Sequence, residues 1–488
     1  MIGMGVTALI LGRLTQTLAD PDLWGYLAFG RQFWTLDGFP YIDIFAYTPT
    51  KPLWVYHEWL TGAVFYPIYQ FLGATGLQIS KYAIGLGTAW LIYKTARMRG
   101  ASPGASIACL LLISPFFSFA YSPIRAQVFT NLFFVLTLLI LEKSRQTRHP
   151  RYLWWLVPIF LLWANLHGGF VAGLGIIGLF AVGQTLSGNK AMPYWLILIP
   201  ATFITLLNPY GPQYWIYLKD ALLMPRPDIS EWHSLFFALQ GGDLSANILV
   251  FLILFILAIL MFFASRSYRL SDIFLLLATS FLAFQHVRHQ SLFFIMMGCL
   301  APLYFTGAWN SFRQSMNQTD RWKKIFHVLT PVLFCCLFVF FGFRLITGQP
   351  LDLTLRNTPP GQTSEDNYPA GAIHFIKQHK LRGNILPEFN WGEYILWSLP
   401  ESRVAIDGRY ETVYTEKSSK EYFAFTRGAS GWQNYLNLYP HDMVLFRQES
   451  FIGQALRTLP EWRQVYSDTD GVLFIRRSSP VAKQIRMD

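Results

Sequence analysis

The sequence predicts an α-helical polytopic membrane protein of about 11–13 membrane helices with a small C-terminal α/β soluble domain. Three observations predict it. Charged residues make up 14% of the 488 residues and hydrophobic ones 53%, whereas soluble domains carry about 25% charged residues. Apolar runs such as Ile248–Phe263 and Val328–Phe343 are too long for ordinary soluble strands. The net charge of +11 is uneven: 23 basic and 12 acidic residues fall in 1–349, against 16 of each in 350–488. These features exclude a soluble enzyme, a disordered chain and a collagen-like fibre.

Residues 1–349 are the expected transmembrane domain. Apolar segments occur at 3–18, 59–73, 77–93, 103–121, 126–142, 152–166, 169–186, 193–208, 246–264, 272–287, 291–307 and 325–346. Residues 1–18 lack a positive charge ahead of the apolar stretch and are interrupted by Arg13, so they read as a first helix rather than a cleaved signal. Four basic clusters set the orientation: Lys94/Arg97/Arg99, Lys143/Arg145/Arg148/Arg151, Arg266/Arg269 and Arg313/Arg321/Lys323/Lys324. The positive-inside rule places them in the cytoplasm. The opposite face then receives 122–126, the turn at His167, the loop 209–245, His286–His289 and everything after 347. Residues 59–73 and 77–93 cannot both be full spans if 20–58 is also outside, so 59–73 is expected as a partial or interfacial helix.

Residues 20–58 form the first outward loop. Trp24, Tyr26, Phe29, Phe33 and Trp34 predict an amphipathic helix in the membrane interface. Residues 350–369 read as a polar, proline-containing linker, and 370–488 as a soluble α/β domain on the outward face. In it, helices are expected at Ala370–His379, Trp391–Trp397 and Glu416–Phe425, and strands at Gly383–Pro387, Val404–Asp407, Met443–Arg447 and Gly471–Arg476. Cys109, Cys299, Cys335 and Cys336 all lie in apolar runs and read as packing residues.

Chemistry-bearing groups concentrate on the outward face. Asp20-Pro21-Asp22 offers a carboxylate at the membrane–water boundary as a general base, or simply a helix cap. His57-Glu58-Trp59 offers a second acid, or an interfacial anchor. Asn165-Leu166-His167-Gly168-Gly169 permits close backbone approach to a ligand and a His contact, or is a polar turn. Arg125, Glu231-Trp232-His233 and His286-Val287-Arg288-His289 offer a cationic site for a lipid phosphate, or a snorkelling interfacial cluster. Asp407-Gly408-Arg409 offers a carboxylate and a guanidinium from the soluble domain, or a strand-end ion pair. No metal-ligand spacing, nucleotide-binding loop or basic nucleic-acid patch is present in the sequence.

The first loop resembles that of the GT-C superfamily of membrane glycosyltransferases, closest in pattern to aminoarabinose transferases and protein O-mannosyltransferases. Asp22, Tyr26 and Arg31 match the family's Asp, Tyr and Arg in order and spacing. Tyr56-His57-Glu58-Trp59 stands at the re-entry position, Phe71-Leu72-Gly73 resembles a Leu-Phe-Gly element, and His167-Gly168-Gly169-Phe170 stands where the family has Lys-Gly-Phe. The resemblance covers 10–240. Leu23 departs from the family's paired acids, and the re-entry segment lacks its prolines.

The resemblance implies an enzyme that transfers a sugar from a polyprenyl-phosphate donor to an envelope glycan, lipid or protein acceptor. It implies Asp22 as catalytic base with Glu58 as second acid. Arg31, His57, Arg125, His167, His286, Arg288 and His289 are the expected binders of the donor phosphate or substrate, and Asp407 and Arg409 the soluble-domain candidates. No metal ligand is assigned and the divalent-metal requirement stays open. The expected setting is the bacterial inner membrane, with membrane lipid as partner and the C-terminal domain periplasmic. The alternatives are a non-catalytic assembly protein and a transporter of lipid-linked glycan.

Overall fold

The computed structural model describes residues 2–15, 17–121, 124–226, 229–264, 268–315, 353–355 and 368–485. The expected span 325–346, Cys335, Cys336 and most of the linker 350–369 lie outside them. The chain divides into two compact units, Met1–Gln16 with Gln78–Leu353, and Thr17–Leu77 with Thr354–Asp488. Residues 17–77, placed with the membrane part by sequence reading, therefore belong to the same unit as the C-terminal residues.

The first unit is helical. It holds α1 (Ile2–Leu14) and the later part of α3 (Trp59–Met98). The helices α4 (Pro103–Leu112), α5 (Ser114–Tyr121), α6 (Gln127–Thr147), α7 (Leu156–Leu166), α8 (Phe170–Leu186) and α9 (Met192–Phe203) follow. The unit is completed by α10 (Gln213–Leu223), α11 (Leu235–Gln240), α12 (Ala246–Ala264), α13 (Leu270–Gln285) and α14 (Gln290–Ser315). Among the described residues, Gln127–Thr147 and Val287–Asn310 are each long and apolar enough to cross a membrane. The pair α4 and α5, bent by 44°, passes the same test together. Five shorter apolar helices join them, at Gly3–Leu14, Phe170–Leu186, Met192–Leu206, Ala246–Met261 and Leu270–Gln285.

Small residues set the closest approaches. A Cβ on Gly183 of α8 would lie 2.4 Å from the backbone of Ser271 in α13, so only glycine lets these helices meet there. Cys109 and Cys299 are buried and unpaired, as packing residues are.

The sequence places Arg99 and Arg145 in loop clusters, but the fold buries Arg99 completely. Its guanidinium bonds Glu142 and Asp272. Arg145 reaches Glu142 at 2.6 Å, and the Tyr304 hydroxyl donates to Asp272 at 2.6 Å. This network joins α3, α6, α13 and α14. A buried charge is tolerable only when partners replace its water, and here each charge has an opposite one.

The second unit opens with α2 (Pro21–Thr35). Asp20 caps it by accepting the Asp22 N–H at 3.0 Å, and Pro21 sits in its first turn. The helix stands where an amphipathic one was expected, and its residues Leu23 through Gly30 are all buried. Gly30 and Gly62 form its crossing with the start of α3, where a Cβ on Gly30 would lie 2.2 Å from the Gly62 carbonyl oxygen. α3 breaks at Gly73 (φ 61°, ψ −156°), a conformation glycine adopts without strain. The two apolar segments 59–73 and 77–93 are thus the two arms of one broken helix.

The C-terminal part supplies α15 (Ala370–Gln378), α16 (Gly392–Ser398), α17 (Glu416–Thr426), α18 (Gln433–Leu438) and α19 (Phe451–Ala455). Its strands are β1 (Asn384–Pro387), β2 (Arg403–Val404), β3 (Met443–Phe446), β4 (Trp462–Ser467) and β5 (Val472–Arg476), in the order β2-β1-β3-β5-β4. β2, β1 and β3 are parallel, while β5 and β4 run antiparallel. Every predicted helix and strand of this part appears, although the strand at 404–407 ends early because Asp407 turns the chain. β4 was not predicted, since its residues alternate between buried and exposed only partly.

The segment 43–54 lies along the exposed edge at β2. Val404 N donates to Phe45 O at 2.9 Å, Tyr47 N to Val404 O at 3.2 Å, and Lys51 N to Val413 O at 2.7 Å. An edge strand has unpaired backbone groups, and this segment satisfies them. The loop was expected to bear function; it is also a structural part of the α/β layer.

His441 fastens the same segment. Its Nδ1 meets the Tyr47 hydroxyl at 2.6 Å and its Nε2 the Tyr435 carbonyl at 3.1 Å. These partners suit a neutral ring that donates from Nε2 and accepts at Nδ1. Burial pushes the imidazole down to about 4. An unfolded histidine binds a proton below about 6.5, while the folded one stays neutral down to about 4, so the unfolded state holds more protons between those values. Stability of this unit should therefore rise with pH across that window and fall on acidification through it. In thermal melts from pH 4 to 7, His441→Gln should flatten this slope; a variant with the wild-type slope would disprove the assignment.

Candidate functional site

In the second unit, α2 gathers most of the predicted catalytic residues. Asp22 stands in its first turn, half-buried. Four residues on and on the same helix face, Tyr26 donates its hydroxyl to Glu58 Oε2 at 2.9 Å. Glu58 Oε1 lies 3.6 Å from His57 Nε2. Asp22, Tyr26, His57 and Glu58 thus come from two segments of one unit, with Tyr26 and Glu58 directly bonded.

Arg31 does not join them. It is nine residues from Asp22, about half a turn out of phase on a 3.6-residue helix. Its Nη1 and Nη2 donate to the carbonyls of Trp397 and Leu396 at 3.1 and 3.0 Å, and its guanidinium lies 4.7 Å from the Trp397 ring centre. It closes the C-terminal end of α16, whose last carbonyls lack helical partners.

Asp407 and Arg409 form a bidentate pair. Arg409 Nε and Nη2 reach Asp407 at 2.9 and 2.6 Å, and Nη1 reaches Asp43 at 2.6 Å. The Tyr414 hydroxyl also donates to Asp407, at 2.9 Å. Arg409 lies 4.9 Å from the ring centres of both Phe45 and Trp54. The side chains are 3% and 0% exposed. This is the strand-end ion pair of the two readings, and it clamps the first loop onto the turn after β2.

Sequence reasoning missed Glu393 in α16. It is 4% exposed. Its carboxyl fills the space where a Cβ on Gly25 would stand, 2.5–2.7 Å from that position. A Cβ on Gly408 would meet Glu393 Oε1 at 3.2 Å and Asp22 Oδ1 at 3.4 Å. Burial first, then the negative charges of Asp22 and Asp407, push the Glu393 carboxyl well above the ordinary range, against the opposing pull of Arg409. No local signal marks it: an acid in the first turn of a short helix is commonplace.

The first unit gathers a second group. Glu231 receives Arg125 Nη1 at 3.1 Å and Arg288 Nη1 at 3.0 Å. Burial alone would raise its carboxyl, but Arg125 and Arg288 outweigh it and hold it down at about 2. Arg288 and Arg226 both stack on Trp232, at 4.4 and 3.9 Å from its ring centre. His286 bonds the Trp232 carbonyl through Nδ1 at 2.6 Å, and the His289 ring packs against both. Two guanidiniums on one carboxylate, with Arg226 stacked on the same tryptophan, leave a net positive, aromatic-floored cluster. Trp232 and Arg226 complete it without having been singled out as site residues.

His167 is part of a turn. Its Nδ1 takes the Gly169 N–H at 2.9 Å and lies 2.7 Å from the Thr130 hydroxyl, which Trp163 also contacts. Among the described residues no three His, Cys, Asp or Glu side chains form a group able to hold a metal ion.

No protein-family model matches the chain, and no curated protein matches it significantly. Solved structures do. The apo oligosaccharyltransferase of Archaeoglobus fulgidus aligns with a TM-score of 0.59 at 12% identity, over 91% of this chain and 69% of that one. The same protein in complex with Zn and sulfate aligns at 0.54 and 13% identity, over 96% of this chain and 72% of that one. ArnT from Cupriavidus metallidurans bound to undecaprenyl phosphate aligns at 0.51 and 13% identity, over 97% of each chain. At these identities the likeness is one of fold, and it extends far beyond the 10–240 stretch that carried the motif resemblance. The chain shares the fold of these solved structures.

Proposed function

We propose that the protein transfers a sugar from a polyprenyl-phosphate donor to an envelope acceptor at the outward face of the bacterial inner membrane. The observation that carries this reading is the near full-length likeness to ArnT solved with undecaprenyl phosphate, together with an acid at the family's base position, Asp22. In the reaction, an acceptor nucleophile attacks the anomeric carbon and Asp22 takes its proton. The glycosidic C–O electron pair leaves with the polyprenyl phosphate. Tyr26 holds Glu58 in place beside this chemistry as the second acid.

The Arg125–Glu231–Arg288–Trp232 cluster is the candidate seat of the lipid phosphate, flanked by His286 and His289. A phosphate is a better partner for a surplus of guanidinium than a single carboxylate, because it offers more acceptor oxygens in matching geometry. Arg288→Ala should weaken binding of undecaprenyl phosphate by about tenfold or more, as expected for a lost charge-assisted hydrogen bond. Titration of purified protein with the lipid reads this directly; unchanged affinity would remove the cluster from the donor site. The transferase reading itself is tested by incubating purified protein with labelled polyprenyl-phosphate sugars and envelope extract. Transfer or slow sugar release supports it, and lack of any polyprenyl-phosphate binding would favour the assembly-protein alternative.

A further inference from the structure

We propose that Glu393 is a positioning residue of the Asp22 site, a carboxylic acid that keeps its proton beside Gly408 and so adds no second charge next to Asp22. This deepens the transferase reading and rests on Asp22 being its base.

The geometry argues it in three steps. The first is room: Gly25 and Gly408 are the residues whose missing Cβ atoms make space for this carboxyl. Asp22 Oδ1 and Glu393 Oε1 both lie within 3.4 Å of the single point where a Gly408 Cβ would stand. The second is solvation. Glu393 is 4% exposed and its Oε2 has no hydrogen-bond partner among the described residues. An ionised carboxylate in that state would lose its water without replacement, which is strongly unfavourable.

The third is that the cation acting on Glu393 is already engaged. Arg409 is the nearby positive group, but its Nε and Nη2 are engaged by Asp407 and its Nη1 by Asp43. The acids Asp22, Asp407 and Asp20 also act on Glu393 and oppose its ionisation, and the buried phenols of Tyr56 and Tyr368 are close enough to sense its charge. Two neighbouring carboxyls that differ this much in solvation separate into one acid and one carboxylate. Asp22 is the more exposed member, within reach of the water that Glu393 lacks. A base must be ionised at the working pH, and a neutral neighbour removes the like-charge repulsion that would otherwise protonate it.

Glu393→Gln keeps a neutral group of the same shape, whereas Glu393→Ala empties the place beside Gly408. Transfer by Glu393→Gln should exceed transfer by Glu393→Ala by about tenfold or more, a rescue by the neutral isostere that a purely charged role would not give. Equal losses in the two variants would overturn the proposal. Infrared difference spectroscopy supplies a readout independent of sugar transfer. Wild type at pH 7 should show a protonated-carboxyl C=O band that Glu393→Gln removes. In Asp22→Asn that band should titrate away at lower pH, because the neighbouring charge is gone. No such band at pH 7, or a band indifferent to Asp22→Asn, would overturn the proposal. A coupled band in a protein that transfers no sugar would end the transferase reading and leave the carboxyl pair standing.

Discussion

Asp22→Asn should lower sugar transfer by a factor on the order of 10²–10⁴, the usual contribution of a positioned general base. The substitution keeps the size and planarity of the side chain and removes only its ability to take a proton. Helix α2 should survive it, because the cap belongs to Asp20 and the helix is anchored by its buried face, Leu23 to Gly30. Binding of the polyprenyl-phosphate donor should persist, so the loss should appear in kcat rather than in donor affinity. Turnover of labelled donor, with lipid binding measured on the same preparation, separates these effects. A variant that transfers sugar at the wild-type rate would remove Asp22 from the catalytic role.

Arg409→Ala should cost the second unit about 3–5 kcal/mol, the usual penalty for removing one member of a buried ion group. The reason is what it leaves behind. Asp407 and Asp43 would remain as carboxylates with side chains 0% and 1% exposed and without their cation. Asp43 also accepts the N–H groups of Phe45 and Ala46, at 3.1 and 2.7 Å, so its displacement would loosen the start of the edge segment. Limited proteolysis should then cut within 43–54, at sites that wild type protects, and the melting temperature should fall. Equal protection in both proteins would show that the clamp is dispensable. The effect on transfer should follow the loss of fold, since Arg409 contacts no candidate catalytic group directly.

These two residues mark how far the sequence could be read. Asp22 was picked out as a candidate base through the resemblance of Asp22, Tyr26 and Arg31 to the first-loop pattern of the GT-C enzymes, since the local sequence reads equally as a helix cap. Arg31 was equally legible as a motif residue, yet its phase on α2 sends it to the carbonyl end of α16. Asp407 and Arg409 were visible as a pair two residues apart, but their third member, Asp43, lies far away in the chain. Glu393 carried no signal, because its meaning comes from two glycines and an aspartate brought to it by folding. Glu142 and Asp272 were likewise invisible beside basic clusters that looked like ordinary cytoplasmic loops.

The sequence by itself determined the membrane class, the long apolar helices of the first unit, and α15 to α17 with four of the five strands of the C-terminal part, while α10 and α11 stand in what reads as a loop and α18 and α19 carry no sequence signal. The physics behind this is local: helices in lipid need long apolar runs, and helix caps and strand patterns act over a few residues. Tertiary structure alone decided that the first loop folds with the C-terminal segment, that α2 is a buried helix, and which charges are spent on holding the fold. Such pairings depend on which groups lose their water together, and desolvation is a property of the packed chain rather than of any stretch of it.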